Sequence, residues 1–207
     1  MPKHAFKFPG EVVAAVKQHV RHAIEAVAPG RYHQEANYTA ALANQLEGIA
    51  YKGEHGTVEF HSTVFDDRGA GSAESRYGAG FAITATISDG ITTIRKAILV
   101  QAKLGRLDEM NNADAEFLRS QLEKMKQLVD APKAMEIPES GGRRYPAMVS
   151  GNNILNGMPY KPMELPEYFA ARVTTTLDGS TEREVVERVQ DSSLPRVDVT
   201  AKLRRND

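Results

Sequence analysis

The spacing of apolar residues predicts four helices in this chain. Apolar residues recur every three or four positions from Glu11 to Ala28 and again from Glu35 to about Ala50. The same spacing is clearest from Leu107 to Val129, and a shorter example runs from Glu164 to Thr175. The residues of the 107–129 segment expected to face a core are Leu107, Met110, Phe117, Leu118, Leu122, Met125, Leu128 and Val129.

Three segments have the composition or the two-residue period of β-strands. Residues 57–65 are rich in β-branched and aromatic side chains, and residues 81–88 alternate between the two faces of a strand. Residues 94–103 contain the run Ala97–Val100, which is apolar on both faces and therefore predicts a central strand covered on both sides. We expect these three strands to be adjacent, with the 107–129 helix packed on their sheet.

The order of these elements predicts an α/β fold, with a mixed central sheet flanked by helices on both faces. The 207 residues are the length of one domain, and we expect its core within about residues 35–150. The pattern weakens after Pro132. Residues 181–207 are charged and show only a short apolar alternation, which predicts a peripheral strand or tail.

Composition and charge exclude several classes of protein. Hydrophobic residues make up 41% and charged residues 26%, which indicates a folded core. The absence of cysteine excludes disulfides, thiolate zinc sites and cysteine nucleophiles, and it is typical of a cytoplasmic protein. Neither a membrane-spanning run nor an apolar leader segment is expected. A net charge of −1 implies that any contact with nucleic acid needs a local basic patch.

The residues best placed for chemistry end the third predicted strand. Gln101 and Lys103 are two positions apart, so both side chains lie on one face of that strand. A strand that simply emerges into solvent produces the same pair. Its context is more informative, because the strand follows a hairpin that begins near Gly78 and precedes the long predicted helix.

This arrangement resembles the PD-(D/E)xK, or restriction-endonuclease-like, nuclease superfamily over about residues 35–130. In that family the third strand ends in Asp/Glu/Gln-x-Lys, which matches Gln101-Ala102-Lys103 in the Gln-x-Lys variant. A glutamate often comes from the first core helix; the resemblance favours Glu47 and, less strongly, Glu35. It implies a restriction-endonuclease-like sheet, Lys103 and Gln101 as catalytic residues, and Glu47 and Gln101 as ligands of Mg²⁺ or Mn²⁺.

One position departs from the family pattern. The second strand of the family begins with a sequence like Gly-Ala-Asp-Phe, whereas this chain has Gly78-Ala79-Gly80-Phe81. Gly80 therefore marks a vacant aspartate position in the predicted metal site. Glu74, six residues upstream, is the favoured substitute ligand, and Asp66 and Asp67 are poorer ones.

The vacancy at Gly80 leaves two functions open. With Glu47 and Gln101 as the remaining ligands, the site has one formal negative charge and is expected to bind magnesium weakly or not at all. The first prediction is a metal-dependent endonuclease that hydrolyses DNA or RNA, of the kind found in restriction and anti-phage defence, and inactive in this form if no neighbour compensates. The alternative is a catalytically dead nuclease-fold module that binds nucleic acid or a partner protein. An unrelated α/β scaffold is a third reading.

The predicted partners follow from the charge and from the resemblance. The mildly acidic chain suggests that a partner protein or a guide helps to bring the substrate. A homo-oligomer is expected, because many nucleases of this type need two active sites to cut two strands. Arg143 and Arg144 form a weak candidate for contacting phosphates, since a solvated turn explains them equally simply.

Overall fold

Eight strands form one mixed sheet in the computed structural model, which describes residues 6, 8–28, 31–64, 73–139, 145–175 and 177–204. The strands are β1 (Gly48–Gly53), β2 (Gly56–Thr63), β3 (Phe81–Ser88), β4 (Thr93–Leu104), β5 (Lys133–Ile137), β6 (Ala147–Ser150), β7 (Met163–Glu164) and β8 (Arg196–Leu203). Their order across the sheet is β1-β2-β8-β3-β4-β5-β6-β7. The pairs β3–β8 and β4–β5 are parallel, and the other pairs are antiparallel.

Helices cover both faces of this sheet, which confirms the predicted mixed α/β class. They are α1 (Gly10–Val27), α2 (Glu35–Leu46), α3 (Ala73–Tyr77), α4 (Asn112–Lys126), α5 (Gly151–Leu155), α6 (Leu165–Tyr168) and α7 (Arg183–Gln190). Helices α1, α2 and α6 contribute to the core on one face, and α4 and α7 to the core on the other. Among the described residues, no helix combines the length and the apolar character needed to cross a membrane.

Strand β4 is covered on both faces, as its sequence predicts. Ile98 and Val100 point into the core beneath α1 and α2, whereas Ala97 and Leu99 point into the core beneath α4 and α7. All four side chains are fully or almost fully buried. Side chains alternate along a strand, so Gln101 and Lys103, which follow the apolar run, lie on the same face of β4 as Ala97 and Leu99.

The carboxyl-terminal segment is central to the sheet, so the prediction of a peripheral strand or tail at 181–207 is wrong. β8 lies between β2 and β3, and the predicted direct pairing of residues 57–65 with 81–88 is wrong for the same reason. Val197, Val199 and Ala201 are buried on one face of β8. On the opposite face Asp198 accepts hydrogen bonds from Thr84 and from Arg196 Nε, the latter at 2.7 Å, so its charge is satisfied inside the fold.

Two further expectations are corrected by the packing. The helix predicted from Glu35 to about Ala50 ends at Leu46, and β1 begins at Gly48, whose φ of +133° suits glycine. In the 107–129 segment, a 3₁₀ turn at Leu107–Glu109 precedes α4. Phe117 was expected to face the core, but its side chain is 58% exposed. The buried positions of α4 lie on the adjacent face of the helix.

A buried lysine ties the loop after α6 to β4. Helix α6 continues as a π-helical turn, Phe169–Val173. The Lys96 side chain is inaccessible to solvent, and its Nζ donates hydrogen bonds to the carbonyl oxygens of Arg172 at 2.6 Å, Asp178 at 2.8 Å and Thr175. Burial lowers the pKa of Lys96 to about 7, with Asp178 opposing this shift. Lys96 therefore satisfies carbonyl groups that the irregular turn leaves without helical partners.

Candidate functional site

Three strand ends meet at one edge of the sheet. β4 and β5 are parallel, so their carboxyl ends lie together, and β3 is antiparallel to β4, so it begins at the same edge. The residue pairs Phe81–Val100 and Lys103–Glu136 define the register there. The positions that the sequence singles out, Gly80, Gln101 and Lys103, therefore lie at a common edge.

Gln101 presents a buried acceptor next to Gly80. The residue is 2% exposed, and its Nε2 donates to Glu74 Oε1 over 3.3 Å. Its Oε1 is also buried, and within the described part of the chain it accepts no hydrogen bond. A Cβ placed on Gly80 would lie 3.3 Å from this oxygen. Buried amide oxygens are usually paired. Gln121 Oε1 and Asn152 Oδ1 are unpaired in the same way within the described residues, so what distinguishes the Gln101 oxygen is its position beside Glu74 and Gly80, where it is open to a ligand or an ordered water.

Helix α3 positions Glu74 against Gln101. The helix ends at Tyr77 and is followed by Gly78, whose amide donates to the Glu74 carbonyl over 2.8 Å and whose φ is +74°. Two residues later, the Gly80 amide donates to the Val100 carbonyl over 3.0 Å and extends the β3–β4 pairing. The chain thus turns sharply from α3 into β3, and that turn holds the Glu74 carboxylate over the end of β4.

Lys103 lies between a carboxylate and an aromatic ring. Its side chain is 13% exposed, and its Nζ is 4.0 Å from Glu35 Oε1 and 5.3 Å from the centre of the Phe117 ring. The same Glu35 oxygen accepts a hydrogen bond from the Leu104 amide over 3.4 Å. The first residue of α2 is therefore bound to the end of β4, and it orients the lysine ammonium.

The structure does not bring Glu47 to this edge, which corrects the expectation that Glu47 is a ligand of the same metal site as Gln101. Its carboxylate accepts a hydrogen bond from the Ser62 amide and lies 3.1 Å from His61 Nδ1. The hydrogen bond from Ser62, aided by His61, lowers the pKa of Glu47. Glu35 and Glu47 lie at opposite ends of α2, about 18 Å apart along its axis, and the less favoured Glu35 is the one at Lys103.

A further carboxylate, missed in the sequence, lies beside Lys103. Glu136 pairs with Lys103 in the parallel register and is 4% exposed. Its Oε1 accepts a hydrogen bond from the Leu107 amide over 3.1 Å, which fixes the turn that follows β4. An isolated glutamate in an otherwise largely apolar five-residue strand is the sequence feature that could have identified it. Arg143, Arg144, Asp66 and Asp67 lie outside the described residues.

The side-chain donors around Gly80 are oxygen atoms, the type of ligand that a hard cation prefers. Mg²⁺ and Mn²⁺ favour oxygen ligands, and Gln101 Oε1 and the Glu74 carboxylate supply an amide oxygen and one formal negative charge. Among the described residues, a group of three His, Asp or Glu ligand atoms within 4.8 Å occurs only at Glu11, Glu54 and His55. Glu54 and His55 of that group lie in the β1–β2 turn and Glu11 lies at the start of α1, at the opposite end of the strands from Gly80. There Glu11 already accepts a hydrogen bond from Tyr51.

Comparison of this chain with models of known protein families, with curated proteins and with solved structures gives no match. The class of protein that the structure itself establishes is a mixed α/β sheet with helices on both faces. Any statement about function depends on the edge formed by Glu35, Glu74, Gly80, Gln101 and Lys103.

Proposed function

We propose that this chain is a metal-dependent nuclease that hydrolyses phosphodiester bonds of DNA or RNA at the end of β4. The observation that carries the proposal is the buried Gln101 Oε1, which accepts no hydrogen bond within the described residues and lies next to Glu74 and the open position at Gly80. Lys103 is two residues further along the same face of the strand. In this proposal, one edge of the sheet would supply both the metal ligands and a cation for phosphate.

A restriction-endonuclease-like fold is part of the same proposal. It is supported by the β3–β4 hairpin, by α4, which follows β4 and packs on the sheet, and by β5, which returns parallel to β4. The family's helix glutamate is then Glu35 rather than Glu47, because Glu35 reaches Lys103. β8, which lies between β2 and β3, is an addition to the strand order implied by the resemblance.

Each residue at the edge has a definite task in this reaction. Gln101 Oε1 and Glu74 would hold Mg²⁺ or Mn²⁺, which when bound neutralises a phosphate oxygen and makes water a stronger nucleophile. Lys103 places its ammonium where the extra negative charge of the pentacoordinate phosphate develops. Glu35 holds Lys103 in position, 4.0 Å away. Glu74 supplies a negative charge in place of the one missing at Gly80, so metal binding is weak but not abolished.

The biological setting belongs to the proposal as well. A cytoplasmic restriction or anti-phage nuclease with a net charge of −1 needs a partner protein or a guide to concentrate its substrate. Cleavage of both strands of a duplex needs a second active site, which a second copy of the chain would supply.

The second candidate is a nuclease-fold module that binds without cutting. The glycine at position 80 favours it, because this residue removes the carboxylate expected to bridge metal and phosphate. Lys103 is also already paired with Glu35. In this reading the edge still binds a phosphate or a partner, but the chemistry is lost.

A nuclease assay on the unmodified chain separates the two candidates. We expect slow cleavage of single- or double-stranded DNA or RNA that requires Mn²⁺ or Mg²⁺ and stops with EDTA. Lys103→Met and Glu74→Gln should each reduce the rate by about 100-fold, since each removes a charge that acts on the transition state. Glu47→Gln is the matched control on the far end of α2, and it should leave the rate within about twofold.

The outcomes are distinct. Equal cleavage by the unmodified chain and by Lys103→Met would contradict the proposed site. Loss of activity in Glu47→Gln but not in Glu74→Gln would restore the original ligand assignment. Binding of nucleic acid without cleavage, with all variants folded, would favour the second candidate.

A further inference from the structure

An exposed aromatic residue lies directly beside the candidate site. Phe117 is 58% exposed, and its ring centre is 5.3 Å from Lys103 Nζ. Helix α4 is anchored to the sheet by Leu118, Leu122 and Met125, which are almost completely buried. Phe117 is therefore not needed to hold the helix, and more than half of its surface is open to solvent, with Lys103 over one face of the ring.

Phe117 is the one aromatic side chain among the large hydrophobic residues that are exposed in the described part of the chain. The others are aliphatic or methionine: Ile49, Val64, Ile91, Met158 and Leu177. Phe117 also differs from them in lying against the ammonium proposed to contact phosphate. A flat ring next to a cation matches the two halves of a nucleotide, its base and its phosphate.

A second cation lies on the same face of α4. Lys124 is seven residues after Phe117, so two helical turns place it on the same side and about 10 Å away. Its Nζ donates to the Ser75 carbonyl of α3 over 3.3 Å, next to Glu74 in the chain. A row of three side chains therefore extends from the end of β4 along α4 to α3. We call this row, Lys103, Phe117 and Lys124, the α4 stripe.

Resting on the nuclease function proposed above, we propose that the α4 stripe binds single-stranded nucleic acid, with one base stacked on Phe117. The phosphates on either side of that base meet Lys103 and Lys124. Single-strand binding proteins combine aromatic platforms with basic grooves in this way. A base inside a duplex is already stacked on its neighbours, so Phe117 selects an unpaired or flipped base.

The test measures binding without cleavage, in EDTA, by fluorescence anisotropy of a labelled single strand of about 12 nucleotides. Phe117→Ala and Phe117→Leu should weaken binding by about 10-fold to 100-fold, whereas Phe117→Tyr keeps the ring and should retain most of the affinity. Ile91→Ala is the control, because Ile91 is 74% exposed in the β3–β4 turn and remote from the stripe. Binding to a blunt duplex should not depend on Phe117.

An oligonucleotide with abasic sites completes the test. It should bind the unmodified chain as weakly as the intact oligonucleotide binds Phe117→Ala. Removing both the bases and the Phe117 ring should weaken binding no further than removing either one. Equal affinity of Phe117→Leu and the unmodified chain, or no binding of any single strand, would overturn the stacking role. Lys103-dependent cleavage that is indifferent to Phe117 would overturn only this inference. Phe117-dependent binding in EDTA, together with no cleavage when Mn²⁺ or Mg²⁺ is supplied, would overturn only the nuclease function.

Discussion

Gly80→Asp is expected to increase the affinity for Mg²⁺ by about 100-fold or more. The substitution adds a second carboxylate beside Glu74. Two opposite unit charges 4 Å apart, such as this carboxylate and a cation, attract by about 4 kcal/mol in an effective dielectric of about 20. Gly80 is not among the glycines with a positive φ, so an aspartate meets no backbone strain there. Its Cβ needs Gln101 Oε1, 3.3 Å away, to move by only a few tenths of an ångström.

Isothermal titration calorimetry with Mg²⁺ and Mn²⁺ checks this increase, with Gly80→Asn as the matched control. Asparagine has nearly the same shape as aspartate but adds no charge, so it should raise the affinity far less. In a nuclease assay Gly80→Asp should cut faster than the unmodified chain, and Gly80→Asp combined with Lys103→Met should not. A folded Gly80→Asp chain with unchanged metal affinity would show that the ligand position is misassigned.

Gly78→Ala is expected to destabilise the protein by about 3 kcal/mol or more, a loss of roughly 6–12 °C in Tm for a chain of this size. Gly78 has a φ of +74°, which costs other residues about 1–2 kcal/mol. An added Cβ would lie 2.3 Å from the Gln121 carbonyl oxygen, so the backbone of α4 would have to move. Thermal and urea unfolding measure the loss.

The same substitution two residues later is the control. Gly80→Ala should change the free energy of unfolding by less than about 1 kcal/mol, because its neighbour is the movable end of the Gln101 side chain. Equal stability of Gly78→Ala and Gly80→Ala would mean that the turn from α3 into β3 differs from the one described. In that case the turn would not hold the Glu74 carboxylate against Gln101.

The spacing of apolar residues along the chain was enough to predict the individual strands and helices near the candidate site. The apolar run of β4 and the alternation in β3 gave both strands, and the two-residue spacing placed Gln101 and Lys103 on one face. The helical period gave α1, and it gave most of α4 despite its short 3₁₀ start. These features are set by neighbours in sequence, so they can be predicted from one chain.

Long-range pairing was not predictable in the same way. β8 lies between β2 and β3 although it is more than 100 residues later than both, and its charged positions resemble a surface strand. The choice between Glu35 and Glu47 depends on which end of α2 meets β4. No period in the sequence contains that information. Phe117 differs for another reason, since one helical position decides whether a ring faces the core or the site.

Anomalous X-ray scattering from Mn²⁺ in crystals of the unmodified chain shows whether a metal binds beside Gln101. We expect the strongest manganese peak about 2.2 Å from Gln101 Oε1 and from a Glu74 carboxylate oxygen, close to Gly80 and on the Lys103 side of the sheet. Manganese bound only at Glu11, Glu54 and His55, or a Gln101 Oε1 that pairs with protein while the chain cleaves nucleic acid, would rule out the proposed metal site.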